Sequence, residues 1–279
     1  MLPVKIRIAF QGEAGAFSED AAYHFWNNSI TPVPQKTFRD VFENVLSEAC
    51  AFGIIPIENS LTGSVHQNVD LFLEFELSII GEIVLRIQHH LLARQSVKLE
   101  DVRRIYSHPQ ALLQCSDFLE KMKHIEVVPM YDTAGSAKYV FEHNEKGSAA
   151  IASLRAGQVY HLHALKKNIE NNHQNFTRFL VISKTSQIPR KGGKTSIVFS
   201  MKDVPGALFK AMGVFARRGI NLFKIESRPI RKGPWKYWFY LDFEGSLNQP
   251  ACQNALHRLG EITTFLKVLG SYPKGKVVG

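Results

Sequence analysis

Residues 53–64 read Gly-Ile-Ile-Pro-Ile-Glu-Asn-Ser-Leu-Thr-Gly-Ser, a short apolar run followed at once by polar side chains. The run 53–57 has the length and composition of a buried strand. Its end delivers Glu58, Asn59 and Ser60 to the carboxyl edge of the predicted sheet. In open α/β sheets, ligands bind in the crevice at that edge. This stretch therefore predicts an α/β fold with a ligand cleft.

Short apolar runs alternate with amphipathic stretches through the first 184 residues, as in βα units with mostly parallel sheets. Ser18 is predicted to cap the first helix. The apolar segment 77–92 and the strand 175–183 are predicted to connect two lobes, 1–85 with 175–184 and 86–174. The predicted strands are 6–10, 53–57, 104–106, 125–129, 149–152 and 175–183, and the predicted helices are 19–26, 38–49, 109–122 and 133–143.

The segment 185–193 has no periodicity and contains Pro, Gly-Gly and charges, so it predicts a linker between domains 1–184 and 194–279. The order beyond it is βαββαβ, the ferredoxin-like pattern. Pro205 suits the first turn of its first helix, and Gly219 suits the residue past that helix's end. The predicted strands are 195–201, 221–230, 235–243 and 265–269, with helices 205–218 and 250–262 and a turn at 232–234.

The composition is that of a folded protein: 279 residues, 45% hydrophobic and 21% charged. The apolar runs are too short for a membrane span, and the charged start of the chain is unlike a secretory signal. The three cysteines are widely spaced, which indicates a reducing, cytoplasmic setting.

The net charge of +9 lies entirely in residues 194–279, with 14 Lys and Arg against 5 Asp and Glu. The basic residues there include only short pairs such as Arg217-Arg218, without a recognition helix or a flanked aromatic platform. We therefore interpret the excess as a solvated face and expect no nucleic-acid partner.

Polar groups also mark three later strand ends, near Ser107-His108-Pro109-Gln110, near Asp132-Thr133 and along Asn175–Phe179. Strand alternation places Thr177 and Phe179 on one face and Arg178 on the other. Helix N-termini, amides, hydroxyls and one arginine suit an anion. Each group also has a structural interpretation: Ser107 and Asp132 as helix caps, Thr177 as an ordinary strand threonine, and His89 and His108 as structural histidines with satisfied hydrogen bonds.

The sequence lacks a Walker loop, a three-glycine dinucleotide motif, a serine elbow and metal-ligand spacing. Residues 12–15, Gly-Glu-Ala-Gly, do not complete the dinucleotide pattern. We therefore expect no cofactor and no metal.

In order and spacing, these motifs closely resemble the prephenate dehydratase family, and the C-terminal part resembles its regulatory ACT domain. The resemblance covers about residues 6–272. It is carried by Glu58-Asn59-Ser60 with Gly63-Ser64, Ser107-His108-Pro109-Gln110 with Gln114, Asp132-Thr133-Ala134, Asn175–Phe179, Gly206-Ala207-Leu208-Phe209 and Glu226-Ser227-Arg228-Pro229. It implies a two-lobed, periplasmic-binding-protein-like catalytic domain and a ferredoxin-like ACT domain.

The resemblance implies conversion of prephenate to phenylpyruvate, carbon dioxide and water, with feedback inhibition by L-phenylalanine at the ACT domain. Thr177 would lie at the leaving hydroxyl, in a catalytic network with Asn59, Ser107 and Gln114 that Glu58 orients. The implied substrate-binding residues are Ser60, Gly63, Ser64, His108, Thr133, Ala134, Asn175, Arg178 and Phe179, and the implied effector-binding residues are Gly206, Ala207, Leu208, Asn221, Leu222, Glu226, Ser227 and Arg228.

The implied effector pocket lies between paired domains, so a homodimer or a dimer of dimers is expected. Phe209 stands where the family often has valine, which would alter that pocket, and no chorismate mutase segment is expected before the first strand. Two alternatives stay open: an arogenate dehydratase, and a non-catalytic sensor built on the same two-lobed plan.

Overall fold

The computed structural model describes residues 5–27, 29–190, 193–230 and 235–279. The predicted turn at 232–234 and part of the predicted linker, residues 191–192, lie outside these ranges. The strands are β1 Ile6–Gln11, β2 Ile30–Gln35, β3 Phe52–Asn59, β4 Gly63–Ser64, β5 Ser78–Arg86, β6 His90–Ala93, β7 Arg104–Ser107, β8 Glu126–Pro129, β9 Ser148–Ala152, β10 His163–Lys166, β11 Phe176–Ser183, β12 Lys194–Ser200, β13 Leu222–Pro229, β14 Tyr237–Glu244, β15 Phe265–Tyr272 and β16 Lys276–Val278. The helices are α1 Phe17–Trp26, α2 Phe38–Leu46, α3 His66–Glu74, α4 Pro109–Gln114, α5 Ser116–Lys121, α6 Thr133–His143, α7 Leu154–Val159, α8 Ala207–Ala216 and α9 Pro250–Ile262, with a 3₁₀ turn at Leu99–Asp101.

The chain divides into two compact units. Unit 1 holds residues 1–73, 83–179 and 277–279, and unit 2 holds 74–82 and 180–276. The segment 74–82 therefore groups with the C-terminal part of the chain, which the sequence did not indicate. The domain boundaries at 184 and 194 stay a prediction.

One sheet carries the first lobe, in the order β16-β5-β11-β3-β1-β2, with β4 beside β3. β1 runs parallel to β2 and β3, with Ala9 opposite Gly53. Ile8, Phe10 and Ile54 are fully buried in its core. The polar residues after β3 consequently lie at the carboxyl edge of a buried parallel sheet, as the sequence predicts.

A second sheet carries the other lobe, in the order β10-β6-β9-β7-β8. β7 is parallel to β8 and β9, and β6 is antiparallel to β9. Leu91, Ile105 and Ile151 are fully buried on one side of this sheet. The predicted two-lobed α/β architecture is confirmed.

Two local predictions in unit 1 are wrong. Ser18 does not cap α1, because the helix begins at Phe17, two residues before the predicted start, and its N-cap is Ala16, without a side-chain hydrogen bond. The predicted helix 109–122 is broken at Cys115, which ends α4 and precedes α5 with φ −115° and ψ 17°. The break follows from backbone dihedrals outside the helical range.

Unit 2 contains a four-stranded antiparallel sheet in the order β13-β14-β12-β15. With α8 and α9 this is the predicted ferredoxin-like βαββαβ fold, which is confirmed. Ile197, Phe215 and Phe243 are buried in its core. α8 begins after Gly206, a left-handed N-cap with φ 76°, so Pro205 lies in the preceding turn and not in the helix.

The segment 74–82 packs within unit 2 through a buried ion pair. The Nζ atom of Lys194 lies 2.8 Å from Oε1 of Glu82, and both side chains are buried. The backbone N–H of Gly275 also donates to Oε1 of Glu82, at 2.9 Å. None of the helices in the described ranges is long and apolar enough to cross a membrane.

Candidate active site

Unit 1 contains a cavity of about 270 Å³ between residues of its two lobes. This volume lies near the lower end of the range for small-molecule sites, about 300–1,000 Å³. Three helices begin at the cavity, because the first residues of α1 and α6, Phe17 and Thr133, and the N-cap of α4, His108, contribute to its wall. The lining residues are Gln11, Ala16, Phe17, Ser18, Pro56, Asn59, Thr62, Val65, Ile87, His89, His108, Gln110, Ala111, Gln114, Asp132, Thr133, Thr177 and Phe179.

Asn59 and Thr177 form the best-defined polar contact at this cavity. Oδ1 of Asn59 accepts the backbone N–H groups of Leu61 at 3.0 Å and Thr62 at 3.1 Å. Because backbone N–H groups only donate, they fix the orientation of the Asn59 amide. Its Nδ2 group consequently faces Thr177 and donates to Oγ1 at 2.9 Å. The hydroxyl proton of Thr177 is thereby left for another acceptor.

The orientation of the Asn59 amide in turn fixes the orientation of two further side-chain amides, those of Asn175 and Gln114. Nδ2 of Asn59 donates to Oδ1 of Asn175 at 2.7 Å, and Nδ2 of Asn175 donates to Oε1 of Gln114 at 3.1 Å. Oε1 of Gln114 also lies 2.9 Å from Nε2 of His89, so this ring nitrogen carries the proton and donates. The amide nitrogen of Gln114 is turned away from both partners and is a donor at the cavity.

His89 is a neutral member of this chain of hydrogen bonds. The residue is 2% exposed, and burial lowers the pKa of its imidazole, against the opposing effect of the Gln114 hydrogen bond. Its ring contacts Phe17 edge-on, with centroids 5.5 Å apart. His89 therefore supplies a hydrogen-bond donor without a positive charge.

The loop after β1 joins the two lobes at the cavity. Nζ of Lys138 lies 3.1 Å from Oε2 of Glu13, and the hydroxyl of Ser153 donates to the carbonyl oxygen of Gly15 at 2.7 Å. Gly15 has φ +91°, and a Cβ there would lie 2.6 Å from Cα of Ala156. The glycines of residues 12–15 thus permit close packing of the lobes.

Asp132 begins α6 as its N-cap. Oδ1 accepts the N–H of Gly135 at 2.9 Å, and Oδ2 lies beside Gly12, where a Cβ would come within 2.8 Å of it. Burial is the largest cause of the raised pKa of this carboxyl group, which the backbone N–H groups of Gly135 and Ala134 oppose. Asp132 therefore both caps α6 and lines the cavity.

The structure brings together only part of the predicted site. Six of the predicted catalytic and substrate-binding residues line the cavity: Asn59, His108, Gln114, Thr133, Thr177 and Phe179. Asn175 is fully buried behind them and connects Asn59 to Gln114. The predicted residues that do not line it are Glu58, Ser60, Gly63, Ser64, Ser107, Ala134 and Arg178.

Ser107 is the main departure from the predicted network. Its side chain is fully buried, and its hydroxyl donates to the carbonyl oxygen of Ile151 at 2.7 Å. This bond joins β7 to β9, so it is a contact within the second sheet. Ser107 is therefore not part of the hydrogen-bonded chain around Thr177.

Glu58 and Arg178 lie together on neighbouring strands, 3.6 Å apart. Glu58 precedes the cavity residue Asn59, and Arg178 follows the cavity residue Thr177. Because successive side chains of a strand point to opposite faces, both Glu58 and Arg178 point away from the cavity. Ser60 instead joins the strand ends, since its hydroxyl donates to the carbonyl oxygen of Gln174 at 3.0 Å. These three residues support the site from outside its wall.

The start of α1 is the part of the site that sequence reasoning missed. Phe17 and Ser18 line the cavity, together with Gln11 at the end of β1. Their position after the first strand was the available signal, since parallel strands deliver their following loops to one edge. His89 was likewise interpreted as structural, because nothing in its local sequence shows that it contacts Gln114.

Unit 2 has a cavity of its own, of about 240 Å³. Of the predicted effector residues, Gly206, Ala207 and Leu208 line it, next to Phe209 and Trp235. Asn221, Leu222, Glu226, Ser227 and Arg228 do not line it; four of them lie on β13, an edge strand of the sheet. Phe209 and Trp235 are 80% and 81% exposed.

No three His, Cys, Asp or Glu side chains within the described ranges are grouped as metal ligands. A small cleft lined by amides, hydroxyls and helix N-termini, in a chain that also contains a ferredoxin-like unit, is typical of an enzyme of small-molecule metabolism.

Comparisons with known proteins identify the family. The model of the prephenate dehydratase family matches residues 8–187, and that of the ACT domain matches residues 195–261. The chain belongs to the prephenate dehydratase family and is an enzyme of that family.

Three relatives illustrate the similarity. An Arabidopsis thaliana protein named arogenate dehydratase/prephenate dehydratase 2, chloroplastic, is 46% identical, over 96% of this chain and 73% of its own length. A solved structure described as a novel type of quorum quenching acylase is 33% identical with a TM-score of 0.89, covering 96% of this chain and 98% of that chain. Prephenate dehydratase from Arthrobacter aurescens, solved in complex with L-Phe, is 30% identical with a TM-score of 0.86, covering 96% of this chain and 90% of that chain.

Proposed function

We propose that this enzyme converts prephenate to phenylpyruvate, carbon dioxide and water in the synthesis of phenylalanine, and that L-phenylalanine inhibits it at unit 2. Arogenate is the alternative substrate, which carries an amino group in place of the keto group. The observation that carries the proposal is the hydrogen bond from Asn59 to Thr177 at the wall of a small-molecule cavity.

The reaction needs a hydrogen-bond donor more than a base. The bond between the ring and its carboxylate breaks, and its electron pair moves into the ring as carbon dioxide leaves. The ring becomes aromatic as the hydroxyl on the opposite carbon departs, and that hydroxyl takes up a proton to form water. The difficult step is the departure of hydroxide, which a positioned donor assists.

Thr177 is the donor that the geometry favours. Its Oγ1 accepts from Asn59, so its own proton is directed to another acceptor, and Thr177 lines the cavity. A threonine hydroxyl is a weak acid, so we assign it hydrogen bonding to the departing oxygen, with the proton for water coming from solvent. A preorganised donor of this kind contributes a factor of about 10²–10³ to kcat.

Gln114 supplies a second donor to the same space. Its amide nitrogen is oriented by Asn175 and by His89, which share its oxygen. Since His89 is buried and neutral, the hydrogen-bonded chain holds its geometry without adding a charge. The N-terminus of α1, which no side chain caps, offers partial positive charge to the substrate's carboxylates.

For regulation we propose that L-phenylalanine binds unit 2 at the start of α8. The support is the 240 Å³ cavity there and the relative solved with L-Phe. Exposed apolar residues, among them Leu208, Phe209 and Trp235, suit a second copy of the chain. We propose a homodimer or a dimer of dimers, and a reducing, cytoplasmic location that agrees with three buried free thiols.

The test is a turnover assay on the purified full chain. Prephenate is added at neutral pH, phenylpyruvate is followed by its absorbance in alkali, and carbon dioxide release is measured in parallel. The proposal expects the two products in equal amounts and a lower rate when L-phenylalanine is added. Binding of prephenate without turnover would instead support the non-catalytic sensor.

A further inference from the structure

The charge of the active-site cavity bears on the choice between the two substrates. Asp132 is the one carboxylate among the described lining residues, and none of those residues is a lysine or an arginine. The other polar lining groups are amides, hydroxyls and two histidines, of which His89 is neutral. The fixed charge of the described wall is therefore negative, although the proposed substrate is an anion.

Asp132 forms no salt bridge with a lysine or arginine within the described part of the chain, although His108 attracts it electrostatically. Its Oδ1 accepts the N–H of Gly135, the backbone N–H of Ala134 also stabilises the carboxylate, and Oδ2 lies beside Gly12, which has no side chain. A half-buried carboxylate without a cation gains from an ammonium group that enters the cavity. Such a group would form a charge-assisted hydrogen bond with Oδ2.

The two candidate substrates differ at one group. Prephenate and arogenate share the ring, the ring carboxylate and the hydroxyl, but the side chain bears a keto oxygen in prephenate and an ammonium in arogenate. If the leaving hydroxyl lies at Thr177, the side chain extends from the opposite ring carbon. The hydrogen-bonded chain from Asn59 to His89 does not include Asp132 in the described structure, so this carboxylate is available to the side chain.

We propose that Asp132 determines substrate specificity by favouring an α-amino over an α-keto side chain, an inference that rests on the proposed dehydratase function. The ammonium of arogenate would donate to Oδ2 of Asp132. The keto oxygen of prephenate only accepts, so it would meet another acceptor and gain nothing. Asp132 raises the kcat/KM of arogenate relative to that of prephenate.

The test compares kcat/KM for both substrates in the wild type and in Asp132→Asn. Asparagine caps a helix as well as aspartate does, so α6 keeps its N-cap while the charge is removed. We expect the arogenate-to-prephenate ratio to fall at least about tenfold, mainly through the KM of arogenate; tenfold corresponds to about 1.4 kcal/mol. Asp132→Ser, which also caps, is the second variant in case the first does not fold.

Asp40→Asn is the matched control. Asp40 is also a capping carboxylate, since it accepts the N–H of Thr37 at 2.9 Å, but it is only half-buried and lies outside the cavity wall. The arogenate-to-prephenate ratio of kcat/KM in Asp40→Asn is expected to equal that of the wild type. A ratio within twofold of the wild type in a folded Asp132→Asn or Asp132→Ser protein overturns the inference. Failure of the wild type to turn over either substrate overturns the dehydratase function itself, a result visible without any variant.

Discussion

Replacement of Thr177 by valine removes the hydroxyl and keeps the branched shape of the side chain. The structure predicts a small cost to folding. Nδ2 of Asn59 has two hydrogens and three acceptors within reach: Oγ1 of Thr177 at 2.9 Å, Oδ1 of Asn175 at 2.7 Å and the carbonyl oxygen of Phe176 at 3.1 Å. Both hydrogens therefore keep an acceptor in Thr177→Val, and the loss should be about 1 kcal/mol, the usual net value of one hydrogen bond.

The cost to catalysis should be much larger. Thr177 is 8% exposed and its hydroxyl is the proposed donor to the leaving oxygen. Loss of one such donor lowers kcat by a factor of about 10²–10³, equivalent to about 2.7–4 kcal/mol of transition-state stabilisation. KM should change little, because the donor matters most as charge develops on the leaving oxygen.

The assay is phenylpyruvate formation from prephenate at saturating substrate, with urea unfolding as the measure of stability. Thr177→Ser, which keeps a hydroxyl, should retain most of the rate, and Thr31→Val, at an exposed position of β2, should behave as the wild type. A Thr177→Val enzyme with kcat within about threefold of the wild type would refute this role for the hydroxyl.

Three further predictions concern the rest of the molecule. Lys194→Met removes the cation that lies 2.8 Å from the buried carboxylate of Glu82, and should lower the free energy of unfolding by about 3–5 kcal/mol in urea titrations; a loss below about 1 kcal/mol would contradict the assignment. Burial lowers the pKa of His90 to about 4, from an ordinary 6.5, so the unfolded chain binds more protons between these values and stability should fall as pH drops from 6.5 towards 4. His90→Asn, which keeps an acceptor for the N–H of Asn168, should make the free energy of unfolding less dependent on pH in this range. An unchanged pH dependence would be evidence against this role of His90. Gly206→Ala places a side chain on a residue with φ 76°, so the free protein gains about 1–2 kcal/mol by leaving this conformation; an effector that requires the conformation must restore it at that cost, which should raise the L-phenylalanine concentration for half-inhibition about five- to thirtyfold, and unchanged inhibition would argue against an effector site at the start of α8.

Periodicity was sufficient where an element has one clear face and clear ends. The helices at 133–143 and 250–262 were predicted with the bounds that they have in the structure. Asp132 before the first and Pro250 opening the second are strong start signals. β2 was missed because Pro32 and Pro34 are typical of a loop, yet an edge strand accepts prolines that need not donate.

The candidate site was predictable in outline and not in its contacts. The motifs identified Asn59 and Thr177 at strand ends, and Gln114 on the helix that follows β7. The direction of the Ser107 hydroxyl was not predictable, since it depends on the carbonyl oxygen of Ile151 on a neighbouring strand. His89 and Asp132 likewise acquire their importance from contacts across the fold, which no local pattern reports.

The position of the substrate in a crystal of Thr177→Val, which should turn over slowly enough to hold prephenate, tests the central claim most directly. The account predicts that the ring hydroxyl lies against the side chain at position 177 and within about 2.6–3.2 Å of a donor of Gln114 or Asn59. A ring bound with its hydroxyl turned towards Asp132, or bound outside this cavity, would contradict it.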